Sequence, residues 1–221
     1  MRVGGKRVRR GFLLVVSGPS GVGKNRLITE LRKRMPDILY SISATTRQPR
    51  PGEVHGVDYF FMTDEEFNRW VEEDRFLEWA EYCGRRYGTP LPFIETALEQ
   101  GRTVALDVET QGAARIRKRV PEAVLVFVMP PSLAELRHRL ETRGKDADET
   151  IWKRLQAASG ELEKMKDYDY VVLNDSLDAA VSALVAIVQA ERLRVHRSDH
   201  SSLLASIHEE AERLTSRLGR V

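Results

Sequence analysis

The sequence predicts an α/β fold, a parallel central sheet flanked by helices, on three observations. Four short apolar runs typical of buried strands lie at residues 12–16, 103–108, 124–129 and 170–173. Helical periodicity occupies much of the chain between them, as in sheets whose strands are joined by crossover helices. The first run leads into a glycine-rich loop and then a helix-compatible stretch, which is the context that a phosphate-binding loop requires.

The remaining elements follow from local patterns. Apolar residues at helical spacing predict helices at residues 27–35, 64–74, 133–143, 149–166 and 177–193. Short strand-like pieces lie at 58–62 and 76–81. Two regions break the alternation of strand and helix. Residues 41–90, rich in Thr, Arg, Pro, Gly and aromatics, predict an inserted subdomain, and the charged segment 139–154 predicts a mobile helical lid.

A length of 221 residues suits one domain with appendages. We expect a basic tail at 1–10, the main domain at 11–195 and a helical extension at 196–221. The extension carries an apolar stripe at helical spacing, formed by Leu203, Leu204, Ile207, Ala211, Leu214 and Leu218. This stripe spans about two heptads, which is short for a coiled coil. We expect it to pack on its own domain or on a partner subunit of a homo-oligomer.

The composition excludes several classes of protein. Hydrophobic residues make up 42% and charged residues 31% of the chain, which is ordinary for a soluble globular protein. A net charge of +2 does not suggest a nucleic-acid partner. The single cysteine, Cys83, excludes an internal disulfide and is interpreted as structural. No run approaches the roughly 20 apolar residues of a membrane helix, so we expect a cytoplasmic protein without a membrane partner.

The glycine-rich loop predicts nucleotide binding. It consists of Gly18, Pro19, Ser20, Gly21, Val22, Gly23 and Lys24. Glycines let successive backbone N–H groups turn towards phosphate oxygens, and the following helix N-terminus adds partial positive charge. Lys24 would reach the β- and γ-phosphates. An ordinary strand-to-helix turn is the alternative, and a lysine in register argues against it.

Asn25 departs from the motif, which asks for Ser or Thr after the lysine. The amide oxygen of Asn25 is a neutral ligand that a hard cation accepts. Alternatively, magnesium keeps a water at this position and is held by phosphate oxygens and by Asp107 or Glu109. These two carboxylates lie at the end of the apolar run 103–108, and alternation along a strand would put them on one face.

The segment 41–90 carries two groups suited to binding a nucleotide. Arg47 and Arg50, with Tyr59 nearby, could converge on one phosphate, although a basic surface turn has the same composition. Glu78 lies on a predicted strand and is either a solvated edge charge or an acceptor for a base. Guanine N1–H and N2–H would offer such a carboxylate two adjacent donors, whereas adenine would leave it unpaired.

Arginines in the lid segment and an asparagine after the last strand complete the candidates. Arg137, Arg139, Arg143 and Arg154 could stabilise charge on a transferring phosphoryl group, although surface helices commonly carry as many arginines. Asn174 follows the apolar run 170–173, and its amide could meet the adenine base.

Together these segments resemble the guanylate kinase family across about residues 11–195. The resemblance rests on the stretch from Ser43 to Glu53, Gly-Val-Asp-Tyr at 56–59, Glu-Trp-Ala at 78–80, Tyr-Gly-Thr at 87–89 and Gln-Gly at 111–112. It implies a P-loop kinase with a GMP-binding insertion and a helical lid. It also implies ATP-dependent phosphorylation of GMP and dGMP to the diphosphate by direct in-line transfer, with Mg²⁺ accompanying ATP.

The resemblance also implies roles for individual residues. Lys24, Arg143 and Arg154 correspond to catalytic positions, and the loop from Gly18 to Asn25 with Asn174 corresponds to the ATP site. The implied GMP contacts are Ser43, Arg47, Arg50, Tyr59, Glu78, Tyr87, Thr89 and Glu109. Glu109 stands where the family usually has Asp. Asn25 and Asp107 are the candidate metal ligands.

Two other interpretations stay open from the sequence. A catalytically weak or inactive guanylate-kinase-like binding module is favoured by Asn25 alone, and Lys24, Arg143 and Arg154 argue against it. A kinase for another phosphorylated acceptor is opposed by Ser43 and Glu78, which together form a guanine-specific pair.

Overall fold

The computed structural model describes residues 10–82, 84–143, 148–198 and 200–218. Three parts of the sequence interpretation lie outside them: the tail up to residue 9, Cys83, and the turn around Gly144 in the lid segment. Within the described residues, no helix combines the length and apolar character needed to cross a membrane.

A five-stranded parallel sheet forms the centre of the molecule, in the order β2-β7-β1-β8-β9. Its strands are β1 (Phe12–Ser17), β2 (Leu39–Tyr40), β7 (Thr103–Asp107), β8 (Val124–Met129) and β9 (Tyr170–Leu173). The predicted parallel α/β fold and four of these strands are confirmed. β2 escaped prediction because two residues are too few to show a pattern.

A second, four-stranded sheet has the order β4-β3-β6-β5 and lies within residues 41–90. Its strands are β3 (Ala44–Thr45), β4 (Phe60–Phe61), β5 (Phe76–Tyr82) and β6 (Arg85–Pro90). The strand predicted at 58–62 is only two residues long. β6 was missed as a strand because it contains a glycine and ends in a proline, residues that are depleted in strands.

Eight helices surround the two sheets in the described chain. They are α1 (Lys24–Arg34), α2 (Asp64–Glu72), α3 (Leu91–Glu99), α4 (Thr110–Arg119), α5 (Leu133–Arg143), α6 (Asp148–Leu162), α7 (Leu177–Arg192) and α8 (Ser201–Leu218). α3 and α4 were not predicted. The helix predicted at 149–166 ends earlier, and its last part is a 3-10 helix, Glu163–Asp167.

The core lies on both faces of the central sheet. Leu14 and Val16 of β1 pack on one side with residues of α1 and α7, and Leu13 and Val15 pack on the other with residues of α3 and α4. All of β1 is buried. This two-sided burial explains why the strand is a continuous apolar run, and it holds the end of β1 in a fixed position.

A buried ion pair fastens the chain after α7 to the main body. The side chains of Glu191 and Arg197 are 2% and 4% exposed, and their charged atoms are 3.2 Å apart. Tyr170 Oη also donates to Glu191, at 2.6 Å, and the Arg197 guanidinium lies 4.6 Å from the centre of the Phe12 ring. The segment that precedes α8 is therefore part of the packed domain.

α8 itself lies on the surface. The side chains of residues 201–215 are all exposed, and the larger apolar ones among them are about half exposed. The stripe from Leu203 to Leu214 is therefore not buried on its own domain, and its packing on a partner subunit stays a prediction.

We expect Arg197→Met to lower the free energy of unfolding by about 2–3 kcal/mol, because it leaves the buried Glu191 carboxylate short of a partner. Arg194→Met is the matched control: Arg194 lies 3.3 Å from the same carboxylate but is 54% exposed. It should cost less than about 1 kcal/mol. Urea denaturation at pH 7 measures both values, and equal losses would show that burial of the pair does not matter.

Candidate active site

The glycine loop connects β1 to α1 at the carboxyl end of the central sheet. At Gly18, whose φ is 137°, a Cβ atom would lie 2.4 Å from the carbonyl oxygen of Val128 on the neighbouring strand. At Gly23, the residue before α1, φ is 98° and a Cβ atom would lie 3.0 Å from Asn174 Nδ2. Only glycine fits these two positions, so the loop lies close against β8 and the segment after β9.

Lys24 is the first residue of α1, and its side chain folds back over the loop. Its Nζ donates to the carbonyl oxygens of Gly18 at 2.8 Å and Pro19 at 3.2 Å. A positive charge is therefore held over the concave side of the loop, next to the helix N-terminus. Both features favour an anion at this point.

Asn174 supports the loop from below. It is 7% exposed, and its side-chain Nδ2 donates to the Val22 carbonyl at 2.7 Å. Its backbone carbonyl accepts from Arg139 Nη2 at 3.0 Å. The amide that was expected to face adenine is thus occupied in fixing the loop. A contact with adenine stays a prediction.

The two candidate metal ligands differ in their surroundings. Asn25 is exposed in the first turn of α1. Asp107 is the last residue of β7, paired with Val16, and its Oδ1 accepts from Tyr40 Oη at 2.6 Å. The expectation that Glu109 shares a strand face with Asp107 is wrong, because β7 ends at Asp107 and Glu109 is the exposed N-cap of α4.

These residues fit a magnesium ion that arrives with its nucleotide. Among the residues that the structure describes, no group of three or more His, Cys, Asp or Glu side chains could hold a metal ion alone. Mg²⁺ is usually bound by one or two protein groups together with substrate phosphates and waters. The Asp107 carboxylate, on the strand beside β1, and the Asn25 amide, directly after the lysine of the glycine loop, are donors of the kind that such an ion accepts.

Arg47 and Tyr59, which lie just outside β3 and β4, meet Tyr87 of β6 beside the second sheet. The Tyr59 and Tyr87 rings are 6.2 Å apart, and the Arg47 guanidinium lies 5.2 Å from the Tyr59 ring. Both Glu53 oxygens accept from Arg47, at 2.8 and 2.9 Å, and these bonds raise the pKa of Arg47. Arg50 is exposed and donates its backbone N–H to Glu53. The arginine is thus held in place before any anion binds.

Glu78, which is half-buried, and Thr89, which is buried, form a polar pair between β5 and β6. Thr89 is 2% exposed, and its hydroxyl donates to Glu78 Oε1 at 2.8 Å. Burial raises the pKa of Glu78, partly offset by this bond and by the charge of Arg115. Glu78 Oε2 faces α4, where a Cβ on Gly112 would lie 3.1 Å from it. Ser43 is half-buried one residue before β3.

A cavity of about 450 Å³ lies between β5 and α4. Its lining includes Glu78, Trp79, Arg115 and Arg119. Of the residues predicted from the sequence to contact GMP, Glu78 alone lines it. The cavity therefore adjoins the candidate site at this carboxylate.

Helices α5 and α6 carry the lid arginines. α5 packs directly on the loop, since a Cβ on Gly21 would lie 2.6 Å from Leu140 Cδ2. The Arg143 side chain lies outside the described residues. Arg154 is half-buried on α6, two turns before Glu161 and hence on the same helix face.

Glu161 was missed in the sequence. It is half-buried, and its pKa is raised by burial and then by the charge of Glu109, while Lys24 and Lys164 lower it. The face of α6 that carries Arg154 is thus near Lys24. Glu161 follows Arg154 by seven residues, and this spacing could have identified it. In the sequence, however, an acidic residue on a charged helix is interpreted as a solvent-exposed surface residue.

Comparisons with known proteins agree with this geometry. Residues 10–191 match the family model described as guanylate kinase. The chain is 50% identical over 190 residues to the guanylate kinase of Desulfitobacterium hafniense, covering 86% of this chain and 95% of that protein. It is 48% identical over 189 residues to the guanylate kinase of Bacillus subtilis, covering 85% and 93%.

A solved structure shows the same fold. The crystal structure of guanylate kinase from Anaplasma phagocytophilum superposes with a TM-score of 0.74 at 31% sequence identity. The match covers 90% of this chain and 95% of that one.

Proposed function

The chain belongs to the guanylate kinase family, and we propose that it transfers the γ-phosphate of ATP to GMP, giving ADP and GDP. One observation in the structure supports this most directly. A glycine loop with its lysine in place and a half-buried carboxylate held by a threonine occur in one chain. The first suits a nucleoside triphosphate, and the second suits a guanine base.

The acceptor phosphate would bind at Arg47, Tyr59 and Tyr87. Because Glu53 already orients Arg47, little side-chain entropy is lost when the phosphate arrives. The two tyrosine hydroxyls add neutral donors. Arg50 would contribute from its exposed position in the same turn.

The acceptor base would bind at Glu78, with Thr89 and Ser43 beside it. An ionised Glu78 accepts from guanine N1–H and N2–H, and the Thr89 hydroxyl fixes the carboxylate so that both oxygens stay in position. Adenine offers no such pair and would leave the half-buried carboxylate unpaired once the bound base excludes water from it. None of these proposed contacts involves the ribose 2′-hydroxyl, so we expect dGMP to be accepted as well.

The donor phosphates would bind in the loop, where Lys24 exchanges the carbonyls of Gly18 and Pro19 for the β- and γ-oxygens. The GMP phosphate then attacks in line, and no residue of the protein forms a covalent intermediate. Arg154, with Arg143, would stabilise charge on the transferring group. Closure of the lid segment would exclude water and so prevent hydrolysis of ATP.

Asp107 and Asn25 are the residues that would hold Mg²⁺ with the donor nucleotide. The ion neutralises charge on the β- and γ-phosphates when bound. Asp107 can reach it directly or through a bound water, and Asn25 would offer its amide oxygen in place of the usual hydroxyl.

A coupled assay of ADP release with GMP, dGMP, AMP, CMP and UMP tests the proposal. We expect turnover with GMP and dGMP and little with the other three acceptors. Tight GMP binding without turnover would indicate a binding module instead. Equal turnover with AMP and GMP would contradict the role of Glu78.

Gly112→Ala should raise KM for GMP about tenfold, because the new methyl group lies 3.1 Å from Glu78 Oε2 and displaces the carboxylate by a few tenths of an ångström. Gly160→Ala is the control: Gly160 is also helical, and a Cβ there meets nothing within 4 Å. Steady-state kinetics with varied GMP separates the two. An unchanged KM in Gly112→Ala would show that the carboxylate is not held at this spacing when GMP binds.

A further inference from the structure

A tyrosine on the edge strand of the central sheet is bonded to the candidate metal ligand. Tyr40 ends β2 and pairs in register with Ala105. Its side chain reaches past that residue, and Oη donates to Asp107 Oδ1 at 2.6 Å. The two residues are 67 positions apart in the sequence. The Arg32 guanidinium lies 5.9 Å from the centre of the Tyr40 ring on another side.

Tyr40 is the donor in this bond, because a phenol hydroxyl carries its proton at neutral pH and an ionised carboxylate can only accept. A short bond between a neutral hydroxyl and a carboxylate is charge-assisted, and it restricts rotation of the carboxylate.

Asp107 lies where donor and acceptor sites would meet. It pairs with Val16, two residues before the glycine loop begins. Its charge also acts on Tyr59, whose pKa it raises after the larger effect of burial. With Oδ1 engaged by Tyr40, Oδ2 is the oxygen left for a magnesium ion or one of its waters.

We propose that Tyr40 is a positioning residue that orients the Asp107 carboxylate towards the magnesium ion of the donor nucleotide. This rests on the proposed function. Since Asn25 and Arg26 supply no hydroxyl after Lys24, this chain depends on Asp107 more than one with Ser or Thr would. Partners that orient a metal ligand commonly change metal affinity by about 10- to 100-fold when removed.

Tyr40→Phe tests the proposal, with Tyr170→Phe as its matched control. Tyr170 Oη also donates to a carboxylate at 2.6 Å, that of Glu191, in the ion-pair network after α7. Both variants lose one hydroxyl and one bond of the same kind. Any difference in metal binding between the two variants therefore comes from which carboxylate has lost its tyrosine donor, Asp107 or Glu191.

The first readout is binding of Mn²⁺ to the complex of protein and ADP, followed by electron paramagnetic resonance. We expect affinity about tenfold weaker in Tyr40→Phe and unchanged in Tyr170→Phe. The second is the Mg²⁺ concentration for half-maximal GMP phosphorylation, which should rise by the same factor in Tyr40→Phe only. Saturating Mg²⁺ should restore most of kcat, and KM for GMP should stay within about twofold.

Wild-type Mn²⁺ affinity and an unchanged Mg²⁺ profile in Tyr40→Phe would overturn the proposal. Equal losses in the two tyrosine variants would also overturn it, since a general effect on the fold would then explain both. A wild-type protein that does not phosphorylate GMP would contradict the proposed function instead. The Mn²⁺ measurement still tests the role of Tyr40 in that case, because it needs no turnover.

Discussion

Lys24→Met is expected to lower kcat for GMP phosphorylation about 1,000-fold, the largest loss of activity among the variants considered. Lys24 already lies over the glycine loop, bonded to two of its carbonyls, so its charge is in place for the β- and γ-oxygens. Charge on these oxygens changes during transfer, and removing one preorganised donor typically costs about 10²–10³ in rate. Methionine keeps an unbranched side chain of similar length and removes the charge together with its N–H donors.

The matched control for this variant is Lys33→Met, on the same helix. Lys33 is exposed and pairs with Glu30 on the surface of α1, so kinetics and stability should both stay close to wild type. Single-turnover measurements with saturating ATP and GMP would report the transfer step itself. A kcat within tenfold of wild type in Lys24→Met would show that the lysine supports the loop and does not act on the phosphates.

The fold was predictable where burial leaves a local pattern. β1, β7 and β8 are continuous apolar runs because helices cover both faces of the sheet there. β9, at the edge, is an apolar run too, although only Val172 in it is fully buried. α3 and α4 left weaker patterns. α4 carries three basic residues in its last turn, and its buried side includes Gly112 and Ala113, which are small and weakly apolar.

The residues of the candidate site likewise fall into those that a local sequence pattern identifies and those that it does not. The glycine loop and the stretch from Ser43 to Glu53, which contains Arg47, are short sequence motifs, so their residues could be named from the sequence. Tyr40 and Glu161 could not, because their roles depend on contacts with residues far along the chain. Glu109 was assigned to the wrong face for a local reason. The prediction extended the alternation of strand residues to Glu109, but the strand ends at Asp107.

Glu78→Gln is expected to lower kcat/KM for GMP between about 100- and 1,000-fold, with kcat at saturating GMP much less affected. The glutamine oxygen can still accept from Thr89, but its NH₂ group meets a guanine N–H donor where a carboxylate oxygen would accept. Each charge-assisted bond contributes about 1.5–3 kcal/mol, and one is lost while a donor is left unpaired. The preference for GMP over AMP should fall with it.

Folding should survive this change. Burial raises the pKa of Glu78, so at neutral pH its ionisation in the folded protein costs free energy that the unfolded chain does not pay. Glutamine removes that cost, and the urea midpoint should equal or exceed that of the wild type. Glu81→Gln, at an exposed position on the same strand, is the control and should leave KM unchanged.

The same raised pKa gives a pH dependence that separates recognition of the base from the chemistry of transfer. GMP needs the ionised carboxylate, so KM for GMP should rise as pH falls through the raised pKa of Glu78, beginning at a higher pH than an ordinary glutamate would give. At higher pH the profile should be flat. Glu78→Gln should lose this rise while Glu81→Gln keeps it. A rise that persists in Glu78→Gln would assign the titration to another group, such as the phosphate of GMP.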